Sequence, residues 1–190
     1  MSQATSLTAA DLKKFSVEQS LELFLQLEAP AMSEMNGEYP ATLLQQPSLL
    51  ATLAGQVSVR NPLVPWLCKA FRPVDVENGR GYNTFRTMGR IVQRFPMQTV
   101  IAPSRYDGKP AYQLVYRAYN SMCGDIHMVD EVRRVSSNLY LGIGTWGFTN
   151  RQRQVALPFM LEGPTAPYRG DIGTPRKGFA LSKEVPALRN

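Results

Sequence analysis

The chain has 190 residues, 44% of them hydrophobic and 19% charged, with a net charge of +6; this composition excludes a disordered or collagen-like polymer and suits one globular domain. No apolar run approaches the roughly 18 residues that span a bilayer, and the opening MSQATSLTAADLKKF lacks the basic-then-apolar layout of a secretory leader. A cytoplasmic protein with no membrane contact is therefore expected. Cys68 and Cys123 stand far apart without a CxxC spacing, so a disulfide or zinc framework has no footing and two buried thiols are expected.

Charge is unevenly spread. Residues 1–59 hold two lysines against six acids, whereas residues 60–153 hold fourteen Lys/Arg against six acids. The basic part is almost all Arg, set singly through strand-like segments rather than clustered, which argues against a nucleic-acid surface and leaves an anionic small molecule as a candidate partner.

In chain order, the first element is SVEQSLELFLQLEA. Ser16 and Gln19 have the spacing of a capping box, and Val17, Leu21, Phe24 and Leu25, widened by Leu23 and Leu27, form one apolar stripe. Pro30 ends it. EMNGEYPATLL is extended, and PSLLATLAG predicts a short second helix, with Pro47 in its first turn and Gly55 at its stop. Pro62, Pro65 and Pro73 argue against a strand through VSVRNPLVPWLCKAFRPVDV. That segment predicts a rigid loop presenting Trp66 and Phe71. Arg86, Arg90 and Arg94 recur every four residues and share one face of a strand or a helix; opposite them on a strand lie Phe85, Ile91 and Phe95, so the arginines face water or line an anion site. The Asp-Gly of YDGK marks a hairpin.

Three strand-like runs then follow, PAYQLVYRAY, IHMVDEVRRV and NLYLGIGTWGF, joined by short turns. Parity puts Tyr112, Leu114, Tyr116 and Ala118 on an inward face. Both faces of HMVDEVRRV are mixed, Asp130 and Arg134 on one and Glu131 and Arg133 on the other, so its register stays open. Gly142 and Gly144 strip side chains from the face they share with Tyr140 and Trp146, making room for a ring, a bend or a ligand. The C-terminal segment, rich in Gly and Pro, reads as an extended tail that wraps the domain or reaches a partner.

Several short motifs resemble the small bacterial GXWXG-motif proteins, lipocalin-like barrels of largely unknown function. Gly37-Glu38-Tyr39-Pro40-Ala41 stands where that motif would be, with Tyr39 for its Trp and Ala41 for its second Gly. Leu67-Cys68-Lys69-Ala70-Phe71 resembles a GK-x-F segment, and Asp130–Val135 followed by Leu141-Gly142 resembles a D-x-F-R-R-V…L-G ending. The resemblance implies a barrel with a cavity and no particular reaction.

These readings converge on a mainly β fold: an antiparallel, calycin-like barrel of about eight strands with an N-terminal amphipathic helix and a short second helix. The chain divides into an arm (1–15), a helical cap (16–57), a barrel (58–162) and a tail (163–190). The only histidine, His127, rules out multi-His metal sites, GTWG is no serine-nucleophile elbow, and no helix follows the glycines of GIGTWG to make a dinucleotide site. No metal or cofactor is expected. Candidate ligand-binding residues are Tyr112, Tyr116, Asp130, Arg134, Trp146, Arg94, His127 and Trp66. The expected function is binding of a small apolar molecule, with or without an anionic group. A cofactor-free lyase, isomerase or cyclase is the alternative, with Asp130 or Glu131 as base, Arg134 or Arg94 on an oxyanion and Tyr112 or Tyr116 as proton donor. An assembly role stands third, and a homodimer is left open.

Overall fold

The computed structural model describes residues 7–47, 65–185 and 188. Eight antiparallel strands, β1 (Gly37–Leu43), β2 (Trp66–Pro73), β3 (Asn78–Thr87), β4 (Arg90–Pro103), β5 (Pro110–Val115), β6 (Val129–Ser136), β7 (Leu139–Thr145) and β8 (Leu157–Glu162), each pair with their chain neighbours. The pairing of β1 with β8 closes the barrel.

The barrel begins earlier than 58, because β1 lies inside the stretch read as a cap. β2 corrects the expected proline-rich loop: Pro65 precedes the strand and Pro73 is its last residue, so the prolines bound it without interrupting its ladder. The predicted helix after Pro47 lies outside the described residues. The row of arginines is cut by a tight turn at Met88 and Gly89, both at positive φ, so Arg86 and Arg94 sit on opposite arms of a hairpin. β5 stops at Val115, where Tyr116–Ala118 turns into a 3-10 helix, and the connection to β6 is long rather than a short turn. The YDGK segment does join β4 to β5, closed by Ser104 N–H donating to the Lys109 carbonyl at 2.8 Å.

Among the described residues, two α-helices, α1 (Ala9–Leu12) and α2 (Val17–Gln26), and a 3-10 turn at Met32–Glu34 precede the barrel. α2 starts as expected: Ser16 Oγ accepts from the Gln19 amide and Gln19 Oε1 from the Ser16 amide. Its apolar stripe, centred on buried Phe24, lies on the outer face of β7 and β8 against Leu139, Leu141, Ile143 and Met160. Arg133 on β6 is fully buried beneath it. All five guanidinium N–H groups are used, by the carbonyls of Phe24, Lys109 and Pro110 and both oxygens of Asp107. Since Phe24 offers one of the last carbonyls of α2, Arg133 also meets the negative end of the helix.

The C-terminal segment is a strap on the barrel's own wall. Thr165 N–H donates to the Glu38 carbonyl, Tyr168 packs on Tyr82, Asp171 pairs with Arg72 and Arg80, and Val185 is buried against Val100, Val115 and Val129.

Inside, the barrel has two halves. One is filled: Tyr39, Phe71, Tyr112 and Tyr140 meet edge-on or tilted with centroids 5.5–5.7 Å apart, and Met32 and Met35 close the end. The other half is open.

Candidate functional site

The open half holds a cavity of about 1030 Å³. Strand alternation supplies most of its wall. Lys69 on β2 and Asn83 on β3 are register partners and both point inward, as does Asp130 on β6, opposite Leu114 on one side and Gly144 on the other. Trp66 has the parity of outward-facing Cys68. The register shift between them turns its ring to the cavity.

At the floor these side chains form one network. The Lys69 ammonium donates to Asp130 Oδ2 at 2.7 Å, to the Tyr116 hydroxyl at 2.5 Å and to Asn83 Oδ1 at 3.2 Å, which uses all three of its N–H bonds. Tyr116 in turn donates to Asp130 Oδ2 at 3.0 Å and accepts from Asn83 Nδ2 at 3.2 Å, while the Trp66 indole N–H donates to Asn83 Oδ1 at 3.1 Å. The rings of Trp66, Tyr116 and Phe159 surround the ammonium with centroids 5.1–5.3 Å away. Lys69 and Asp130 are only 5% and 4% exposed, so a charge pair that would matter little at a surface stands here in a medium of low polarity.

The glycines of β7 shape this floor. A Cβ on Gly142 would lie 2.1 Å from the Phe159 ring, and one on Gly144 would lie 3.0 Å from Asp130 Oδ1. Gly142 makes room for the ring that walls Lys69; Gly144 leaves Asp130 Oδ1 open. Lys69 and Tyr116 both bond to Asp130 Oδ2, and Oδ1 faces the side that Gly144 clears. Burial, followed by the charge of Asp130, raises the Tyr116 hydroxyl well above its ordinary range, so it remains a hydrogen-bond donor. Burial likewise pushes the Cys123 thiol up to about 12, which leaves it an inert part of the wall.

Of the residues singled out in the sequence, Trp66, Arg94, Tyr116, Asp130 and Trp146 all line this cavity. Three do not. Tyr112 lies in the filled half, fully buried, with its hydroxyl donated to Thr99 Oγ1 at 2.9 Å. Arg134 lies at the opposite end, ion-paired with Glu34 at 3.1 Å. His127 stands outside the barrel, its Nδ1 3.0 Å from both Glu184 carboxylate oxygens and its ring against Phe148. The register left open in the sequence is resolved with Asp130 inside and Glu131 outside, where Glu131 meets Arg105.

Lys69, Asn83 and Phe159 are cavity residues that the sequence reading did not select. For Lys69 a signal existed, its place in the segment resembling GK-x-F; nothing in the local pattern marks Asn83. Among the described residues, no group of three or more His, Cys, Asp or Glu side chains is placed to hold a metal ion.

No family model matches the chain, and no curated protein sequence does. Among solved structures it is similar to a protein from Thermomonospora curvata, at 16% identity over 75% of this chain and 83% of that one, with a TM-score of 0.47.

Proposed function

We propose that the barrel binds a small, mainly apolar molecule in its open half, in the manner of lipocalin-like proteins, with one hydroxyl group donating to Asp130 Oδ1, the acceptor that the Lys69–Asp130–Tyr116 network leaves unused. The observation that carries this reading is a hydrogen-bonded, charge-neutral floor with one unused acceptor, Asp130 Oδ1, beneath apolar walls. Ligand pockets combine a large apolar lining with a few placed polar groups. Because Lys69 and Asp130 neutralise each other, the floor favours a neutral polar group; an acidic head group would sit at the mouth, where Arg94 is exposed.

Native mass spectrometry of the purified protein, followed by titration with a fluorescent fatty-acid analogue, tests the reading. A co-purified mass, or saturable probe binding lost in Phe159→Lys, is expected. No bound mass together with no saturable probe binding would sink it.

A second reading, cofactor-free proton transfer, is favoured by one feature: Asp130 Oδ1 is open to the cavity while Lys69 and Tyr116 hold Oδ2. In that chemistry Asp130 takes a proton from the carbon beside a carbonyl, and the enolate oxygen is met by the guanidinium of Arg94, which lines the same cavity outside the floor network. Incubating small cyclic ketones with the protein in D2O and following deuterium incorporation by NMR separates the two readings. Exchange that Asp130→Asn abolishes supports catalysis; its absence leaves a binder.

A further inference from the structure

Folding gathers at one end of the barrel charges that are scattered in the sequence. Among the described residues, the connections at the mouth of the cavity include the β3–β4 turn, the Tyr116–Met128 crossing and the Trp146–Ala156 crossing, beside the ends of β1 and β2. Arg86, Arg90, Arg94 and Arg151 are exposed there. Among the described residues, the only acid on these connections is Asp125, and it is paired with Arg176 at 2.6 Å.

Between the arginines stand large apolar side chains that the fold leaves in water: Met88 is 95% exposed, Phe148 66%, Met122 58%, Ile91 46% and Trp146 42%. Met122 and Trp146 also line the cavity, so this apolar face is continuous with the cavity wall. Scattered exposed apolar residues are ordinary, but a group of them ringed by one sign of charge is not. The opposite end provides an internal contrast. There the exposed Val74 and Val76 alternate with Asp75 and Glu77.

We propose that the mouth of the barrel docks on an anionic lipid surface, with Met88, Ile91, Met122, Trp146 and Phe148 entering the interfacial zone and Arg86, Arg90, Arg94 and Arg151 meeting the head-group phosphates. A nucleic acid would satisfy the arginines but would offer nothing to a methionine at a hairpin tip. A lipid interface takes both, and aromatic and apolar side chains flanked by basic ones are what such an interface selects. The docking is independent of what the cavity holds. Its consequence, that an apolar ligand passes between bilayer and barrel without crossing water, rests on the binding reading above.

Co-sedimentation with vesicles tests it, comparing pure phosphatidylcholine with an equal mixture of phosphatidylcholine and phosphatidylglycerol. The protein should pellet with the mixed vesicles at low salt and much less with the neutral ones. R86Q/R90Q should weaken binding roughly thirtyfold, at about 1 kcal/mol per arginine. M88S/F148S should weaken it roughly tenfold or more at every salt concentration, and V76S should not change it. All these positions are exposed, so circular dichroism melts should match the parent. Lys69→Met/Asp130→Leu should leave vesicle binding intact whatever it does to ligand binding, so failure of the cavity reading and failure of docking are separable. Absence of pelleting on anionic vesicles at low salt overturns the proposal. So does binding to a single-stranded RNA oligonucleotide that is tighter than to vesicles and indifferent to M88S/F148S.

Discussion

Lys69→Met is the substitution that asks most of the structure. It removes the ammonium but keeps an unbranched side chain of similar length among Trp66, Tyr116 and Phe159, so little packing is lost. What remains is the Asp130 carboxylate, 4% exposed, with its strongest partner gone and only the Tyr116 hydroxyl on Oδ2. Breaking one side of a buried ion pair costs about 3–5 kcal/mol, because the remaining charge has lost both water and its counter-ion. With a guanidinium m-value of ~5 kcal/mol/M for a chain of this size, the unfolding midpoint should fall by about 0.6–1 M. Lys69→Met/Asp130→Leu should recover most of that loss, since an apolar replacement of a whole buried pair is roughly neutral. Equilibrium denaturation of the parent, Lys69→Met, Asp130→Leu and the double variant gives the coupling energy directly, and at least ~2–3 kcal/mol is expected. A cost below about 1 kcal/mol for Lys69→Met is the value of a water-screened surface pair. It would show that the floor is wet, and the argument for a sheltered polar site would fall with it.

Two further outcomes follow from the packing. Gly142→Ala places a methyl group in the space of the Phe159 ring and should cost about 1–3 kcal/mol while pushing that ring into the cavity; calorimetry and probe affinity should fall together, and an unchanged melting temperature would mean that the ring lies elsewhere. Hydrogen bonds from Arg133 hold the Asp107 carboxyl below the ordinary carboxylate range. A depressed folded pKa contributes stability that is complete above the unfolded value of 3.8 and is lost as pH falls through the folded one. The stability gap between the parent and Asp107→Asn should therefore be constant at neutral pH and close in acid; a gap that survives to the lowest pH tested would contradict the Arg133 clamp.

Strand alternation makes the β5–β7 wall legible in the sequence, with Tyr112 and Leu114 of the inward set on β5 and Tyr116 and Ala118 passing into the 3-10 helix after it; the capped helix α2 is legible too. What was not legible depended on contacts distant in the chain. Nothing within HMVDEVRRV says which face is inside. The register is settled by α2, whose Phe24 carbonyl and ring take up Arg133 on the outer wall. A lysine reads as a surface residue until Asn83, Tyr116 and Asp130, from three other parts of the chain, enclose it. His127 likewise takes its role from Glu184, beyond any local pattern. Proline density hides β2, because Pro65 and Pro73 signal interruption locally while in the fold they mark the strand's ends. The arginine row was misread because a turn with Met88 at positive φ carries none of the usual Asn-Gly or Asp-Gly signal.

The seam of the barrel has a consequence for how the chain is made. Ala41 pairs with Leu161, so during synthesis the β8-facing edge of β1 has no partner until Leu161 has emerged. Such a pairing between distant residues is slow to form, because the entropy of closing a long loop must be met before its contacts help. The residues that follow β8 bridge the same strand: the Glu38 amide donates to the Ala166 carbonyl and the Thr165 amide to the Glu38 carbonyl. The strap thus crosses the seam and ties back to the first strand the chain segment that leaves the last one.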